Sequence, residues 1–512
     1  MNTTEEPTPA PVDDSIDVRC DVLVVGGGIN GAGIARDLAG RGWSVVLCEQ
    51  HDLAQHTSSA STKLIHGGLR YLEHREFSLV RKALIEREGL LRGAPHIMWP
   101  LRFVLPHDEG MRPGWLIKLG LWLYDHLAPR DFLPASGHVN LRDHPAGQPL
   151  KTSFKDAYVY SDGWVDDARL VLLCAQDARE RGAKVLTRTC CEQLQATPEG
   201  WSALLSHRDA LSDRLTHHVR VQARLVINAA GPWADKLQTM LEGAHQGQKP
   251  APRAHLRLVK GSHIVVPRLF EHDHAYIFQQ PDGRIVFAIP YEQKFTLIGT
   301  TDVDHQGDAA QVAISDDEIA YLCSAVNRYF RRSVQPHEVV WSYAGVRPLL
   351  DDAKGKASAV TRDYRLDHGR GQWPWITVWG GKITTFRKLA EEVGHLCGDL
   401  LDDQRPAWTL NAQLPGGRLV ELIDAEVDPV SDMAEFKLRL RQRHPWLEVG
   451  LVRRWSQQYG ASVLGLLKGL DSRADLGAEI APGLYEAELF HLQRQEWACT
   501  AEDVLWRRTK LG

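Results

Sequence analysis

No uncharged stretch of this 512-residue chain reaches the length of a bilayer-crossing helix. The longest, Val22–Ala35, holds five glycines, so it reads as a turn-rich element and not as a membrane span. Cysteine is scarce and never spaced as CxxC: there are eight, and only Cys190 and Cys191 are adjacent. That argues against a disulfide-stapled scaffold or a dithiol redox centre and fits reduced thiols. Basic residues form no block, and the formal net charge is -5, which argues against a nucleic-acid-binding surface. The pairs His217-His218 and His272/His274 stand without further ligands at zinc spacing, so no metal site is expected. The tail Met1–Val18 lacks a basic region followed by an apolar run, which excludes a signal peptide. Its Pro, Thr and acidic content predicts disorder.

The chain does have a complete dinucleotide fingerprint in Cys20–Glu49. Asp21–Val25 is a β-branched run suited to a strand buried on both faces. Gly26, Gly28 and Gly31 fill GxGxxG: the first allows the tight turn, the second close approach of a pyrophosphate, the third helix–strand packing. Ile29 and Asn30 open the helix, whose free N–H groups and dipole favour a diphosphate. Trp43–Cys48 is the second strand, and Glu49 falls where a carboxylate accepts ribose hydroxyls. No second fingerprint provides a separate nicotinamide domain. Two later segments instead look like further pieces of one large site. Arg224–Asp235 is a strand ending in Gly231-Pro232; Thr377–Arg387 is a strand followed by Gly380-Gly381 and a helix start near Thr384. A cofactor contacted early, midway and late in the chain is long and buried, which favours FAD over NAD.

The expected architecture is α/β: a Rossmann-like FAD-binding domain, an inserted antiparallel-sheet substrate domain and a C-terminal helical domain. The expected boundaries are a tail over 1–18, an oxidoreductase domain over 19–408 and a helical domain over 409–512. Within the oxidoreductase domain the flavin part takes 19–97, 155–254 and 341–408, and the substrate part takes 98–154 and 255–340. Asp166–Gly182 reads as a crossover helix leading to the strand Lys184–Arg188. Short strands are expected at His255–Pro267, Ala275–Gln279, Arg284–Pro290 and Thr296–Thr301, and a linker at Leu410–Gly417.

Several further motifs occur in order: Thr57–Glu73 (TSSASTKLIHGGLRYLE), Asp162–Leu170, Lys260–Pro267 (KGSHIVVP), Gly299–Asp302 (GTTD), Gly345–Leu349 (GVRPL) and Ala501–Lys510. From about Cys20 onward the chain resembles the aerobic, FAD-dependent glycerol-3-phosphate dehydrogenases of the glycine/D-amino-acid-oxidase-like superfamily. It departs from them in the added tail and in an end at Gly512 that is slightly short. The resemblance implies hydride transfer from glycerol 3-phosphate to FAD and electron transfer to a membrane quinone. It places the substrate phosphate and hydroxyls on Arg70, Arg347 and Lys382, with Tyr71 as a donor or a packing group and Lys382 open to a flavin role instead. Arginine grips phosphate with two N–H groups but is a poor proton acceptor. His263 is therefore expected as the base, with His66 as the alternative. Thr57, Ser58, Ser59, Ser61 and Lys63 would offer hydroxyls and N–H groups to FAD, joined by His66, Gly67, Gly68, Gly231, Gly381 and Thr384.

With no nicotinamide fingerprint to spare, electrons leave to quinone or to oxygen. Pro113–Leu127 is the candidate for bilayer contact. As a helix it puts Trp115, Leu116, Leu119, Trp122, Leu123 and Leu127 on one face. Two readings fit: an interfacial helix with Lys118, Arg112 and Arg130 near anionic lipid, or a buried core helix. The first places the protein in the cytoplasm, peripherally on the inner membrane. The oligomeric state stays open, a homodimer included.

Overall fold

The computed structural model describes residues 15–108, 113–244, 256–350, 363–424 and 427–512, with the backbone alone at Ser15, Arg70 and His74. The strand Ser15–Val25 forms the centre of a parallel sheet. It pairs along its length with Leu215–Asn228 on one side, and through Val22–Val25 with Val45–Cys48 on the other. Trp375–Gly380 and Lys184–Leu186 extend the sheet in parallel, and Tyr364–Gly369 closes one edge antiparallel. The strand begins at Ser15, so part of the expected tail is ordered. Ser15–Val18 pairs with His218–Val221, which satisfies backbone groups that a free tail would leave to water. Thr189–Thr197 and Gly200–Arg208 form an antiparallel layer on Leu215–Asn228.

The fingerprint helix Ile29–Gly40 is buried on nearly every side between the helices Asp167–Glu180 and Phe386–Leu401. Its small residues allow that approach: a Cβ on Gly33 would lie 2.6 Å from the Phe386 ring. Arg36 and Arg41 are buried too, paired with Asp177 at 2.6 Å and Asp37 at 2.5 Å.

A second, ten-stranded sheet faces the first across a cavity. It is antiparallel except where Ala275–Tyr276 pairs in parallel with Phe103–Val104. One face packs under the helix Asp316–Asn327, which starts with a capping box from Ser315 and Glu318. The other face packs under Phe77–Gly93 and Gly114–His126. Asp156–Val165 and Trp341–Leu350, expected in the flavin part, run in this second sheet. Ten-residue pairing with Met98–His107 and with Leu256–Val265 holds them there.

The C-terminal region has its own core around Phe436, Trp455 and Leu492, and includes a small hairpin, Glu479–Ala481 with Leu484–Tyr485. It is fastened to the flavin side by buried charge. Arg507 and Arg508 both donate to Asp52 Oδ2, at 2.6 and 2.5 Å, and Trp506 stacks on Trp341. Among the described residues, no helix is long and apolar enough to cross a membrane.

Candidate active site

The two sheets enclose a cavity of about 740 Å³ that runs from the fingerprint turn to the inner face of the second sheet. At one end the wall is mainly backbone. Gly26 has φ +113°, and a Cβ there would meet the Ala229 carbonyl at 2.5 Å. A Cβ on Gly31 would lie 1.8 Å from the Gly26 carbonyl oxygen, so only glycine lets the turn close on the helix. Glu49 Oε2 accepts from the Gly27 amide at 2.6 Å and Oε1 from the His51 amide at 2.9 Å. Burial pushes its carboxyl upward, and the amides partly restore it. Each oxygen keeps a second lone pair for a ribose hydroxyl. Ser58 Oγ accepts from the Ile29 amide at 2.9 Å. Asn30 donates to the Gly380 carbonyl at 3.1 Å, while its buried Oδ1 has no partner. These groups suit a diphosphate dinucleotide: free helix N–H groups, an acid for ribose and a turn that no side chain fills.

Further along, His66, Gly68, Tyr71, Gly381, Lys382 and Thr384 reach the wall. The Lys382 ammonium sits 4.0 Å over the Tyr71 ring. On the opposite sheet Arg347 is held by its own chain: Nη1 donates to Asp302 Oδ1 at 2.5 Å and Nη2 to Thr300 Oγ1 at 2.9 Å. The turn before Lys382 abuts that strand, since a Cβ on Gly380 would lie 3.7 Å from the Pro348 carbonyl. Asp302, Thr300, Thr62 and Asp162 also line the cavity. GTTD and DGW stood out as motifs, but nothing local assigned these residues a role. Their value comes from the strands opposite them.

Several expected residues lie elsewhere. His263 is 0 % exposed, stacked on Tyr343, with Nε2 2.9 Å from Thr62 Oγ1, so it sits behind the wall. Burial first, then Arg347 and Lys63, hold its imidazole well below the usual range, which disfavours its protonated form. Lys63 turns into a buried pair with Asp167 at 2.6 Å. Ser59 Oγ turns back onto the His56 carbonyl. Gly31 and Gly67 act by packing, beneath the wall. Thr57, Ser61 and Gly231 are on the wall, although Ser61 Oγ is committed to Asp167 and Thr57 Oγ1 to the Val346 carbonyl. The Arg70 side chain lies outside the described residues.

The model of the family described as FAD dependent oxidoreductase matches residues 21–387. The chain belongs to that family. The match covers every wall residue named above and both sheets except the start of the strand Ser15–Val25. This oxidoreductase is 50% identical to a glycerol-3-phosphate dehydrogenase of Pseudomonas aeruginosa, over 96% of this chain and 92% of the relative. It is 46% identical to a D-erythritol 1-phosphate dehydrogenase of Brucella abortus, over 96% and 94%. Among solved structures it resembles the glycerol-3-phosphate dehydrogenase from Bacillus halodurans complexed with FAD. The TM-score is 0.73 at 26% identity, covering 96% of this chain and 86% of that one. FAD is the cofactor, and the fingerprint end of the cavity is where it fits.

Proposed function

We propose that the protein oxidises sn-glycerol 3-phosphate to dihydroxyacetone phosphate and passes the electrons to a membrane quinone. FAD, when bound in the cavity, would supply the hydride acceptor. The observation that carries the reading is the cation pair Arg347 and Lys382, on abutting segments of a wall that faces the flavin turn. A phosphate dianion needs such charge, and Asp302 and Thr300 fix the guanidinium fork so that little orientation is lost on binding. The alcohol proton passes to His66, which lines the cavity; His263 lies behind the wall, with Nε2 2.9 Å from Thr62 Oγ1. His66→Asn should therefore lower flavin reduction far more than His263→Asn, and the reverse order would restore His263 as the base.

The exposed helix supports the membrane reading. Trp115, Leu116, Leu119 and Trp122 are 68, 42, 46 and 57 % exposed, while Leu121 and Tyr124 face the core. A core helix buries such residues; an interfacial one presents them. Lys118 is exposed beside them, Arg130 is engaged with Asp125 at 2.9 Å, and Arg112 lies outside the described residues.

The relative from Brucella favours a second reading, oxidation of a four-carbon polyol phosphate by the same chemistry. Side-by-side turnover of glycerol 3-phosphate and D-erythritol 1-phosphate separates the two. Peroxide formation in air, against anaerobic reduction of a quinone analogue, separates dehydrogenase from oxidase.

A further inference from the structure

The helix Gly114–His126 does more than present an apolar face. Its buried residue Tyr124 points inward and ends against Gly67, just behind the cavity wall. The Tyr124 hydroxyl donates to Asp162 Oδ1 at 2.6 Å and accepts from the Gly67 amide at 2.9 Å. Asp162 Oδ1 also accepts from Arg87 Nη1 at 2.8 Å and from the Gly67 amide at 3.2 Å. Tyr124, Asp162 and Arg87 are all buried, in a low-dielectric setting where each of these bonds is strong and leaving one unmade is costly. Burial raises the Asp162 carboxyl, and Arg87 with Tyr124 counters that.

Gly67 lies between His66 and Gly68, both on the cavity wall. Gly68 has φ +77° and opens the turn Leu69–His74, which carries Tyr71 under the Lys382 ammonium. The packing is tight: a Cβ on Gly67 would lie 2.6 Å from the Tyr124 hydroxyl, and one on Gly68 would lie 2.2 Å from the Tyr71 ring. A displacement of Tyr124 is therefore passed through Gly67 to the groups that face the substrate.

We infer that Tyr124 is a positioning residue, whose hydroxyl bridges Gly67 to Asp162 and thereby sets the His66–Tyr71 turn for substrate binding. The inference rests on the reading that the cavity turns over a polyol phosphate. It also means that the surface helix and the substrate wall share one rigid connection.

The test is Tyr124→Phe, which keeps the ring and removes the hydroxyl, measured as holoenzyme with glycerol 3-phosphate and a soluble electron acceptor. Flavin content should match the parent, and KM should rise on the order of tenfold, as expected when binding groups are slightly misplaced. An unchanged KM in a variant with full flavin would overturn the inference, because a merely structural hydroxyl would move Tm and leave KM alone. Should the variant lose flavin, a fluorinated tyrosine at 124 keeps the shape and weakens the hydroxyl as an acceptor. Its KM should shift at least twofold, and an unshifted KM again overturns the inference. Parent enzyme that glycerol 3-phosphate does not reduce would instead remove the substrate reading.

Discussion

The two ends of the cavity are built from different materials. At the nucleotide end the contacts are backbone N–H groups, a glycine turn and one carboxylate, all within Gly26–Ser58. At the substrate end Arg347, Thr300, Asp302, Lys382 and Tyr71 come from segments far apart in sequence and depend on side chains holding one another. The first end is a local fold with almost no tolerance for added atoms. The second is a charge arrangement that can be weakened step by step. Substitutions at the first should act on whether flavin binds, and those at the second on how well substrate is used.

The largest effect should come from Gly31→Leu. Its Cβ alone would sit 1.8 Å from the Gly26 carbonyl oxygen, and backbone cannot yield as a flexible side chain could. The purified protein should contain no flavin, read from absorbance near the flavin band. Full flavin occupancy would erase the contrast between the two ends.

Next in size, Arg347→Ala should leave flavin bound and lower kcat/KM for glycerol 3-phosphate. A charge-assisted hydrogen bond is worth about 1.5–3 kcal/mol, so the loss should be roughly tenfold to several-hundredfold. Arg347→Lys should recover only part, because the ammonium cannot span Asp302, Thr300 and a phosphate together. Near-normal kinetics in the alanine variant would remove the phosphate role.

What could be read from the sequence follows the same division. Strand, turn and helix of the fingerprint are set by neighbouring residues, and so is the amphipathic pattern of Gly114–His126. The position of His263 was not legible, because KGSHIVVP does not say which strand covers it or that Thr62 stands in front of it. Asp302 and Asp162 were visible as motif residues, but their partners Arg347, Arg87 and Tyr124 lie tens of residues away. The pairing of Asp52 with Arg507 and Arg508 joins the two ends of the chain, and no local pattern carries it.

A smaller effect, confined to location, is expected from Trp115→Glu combined with Leu119→Glu. Both positions are exposed, so the fold and the turnover of a soluble acceptor should be nearly unchanged. Sedimentation with anionic vesicles and reduction of a lipid-embedded quinone should drop together. Undiminished vesicle binding would take the membrane role away from this helix.

The mildest prediction concerns acid. Burial, with Arg169 nearby, lowers His96 to about 3. Burial, with His51 and Arg507, lowers His56 to about 4; burial, with His274 and His144, lowers His272 to about 4. In the unfolded chain such groups titrate near ~6.5. Between that pH and 4 the unfolded chain takes up protons that the native state refuses, so Tm should fall as pH drops through this window. His96→Leu should flatten the slope by about one proton. A slope identical to the parent's would show that His96 is not held neutral.

The central claim is that this flavoprotein accepts a hydride from a three-carbon polyol phosphate, and an anaerobic titration of the purified holoenzyme tests it most directly. Sub-stoichiometric additions of glycerol 3-phosphate should bleach the visible flavin band, reaching completion near one equivalent per flavin, with dihydroxyacetone phosphate formed in equal amount. A band unchanged by excess glycerol 3-phosphate, in protein whose flavin dithionite still reduces, would contradict the account.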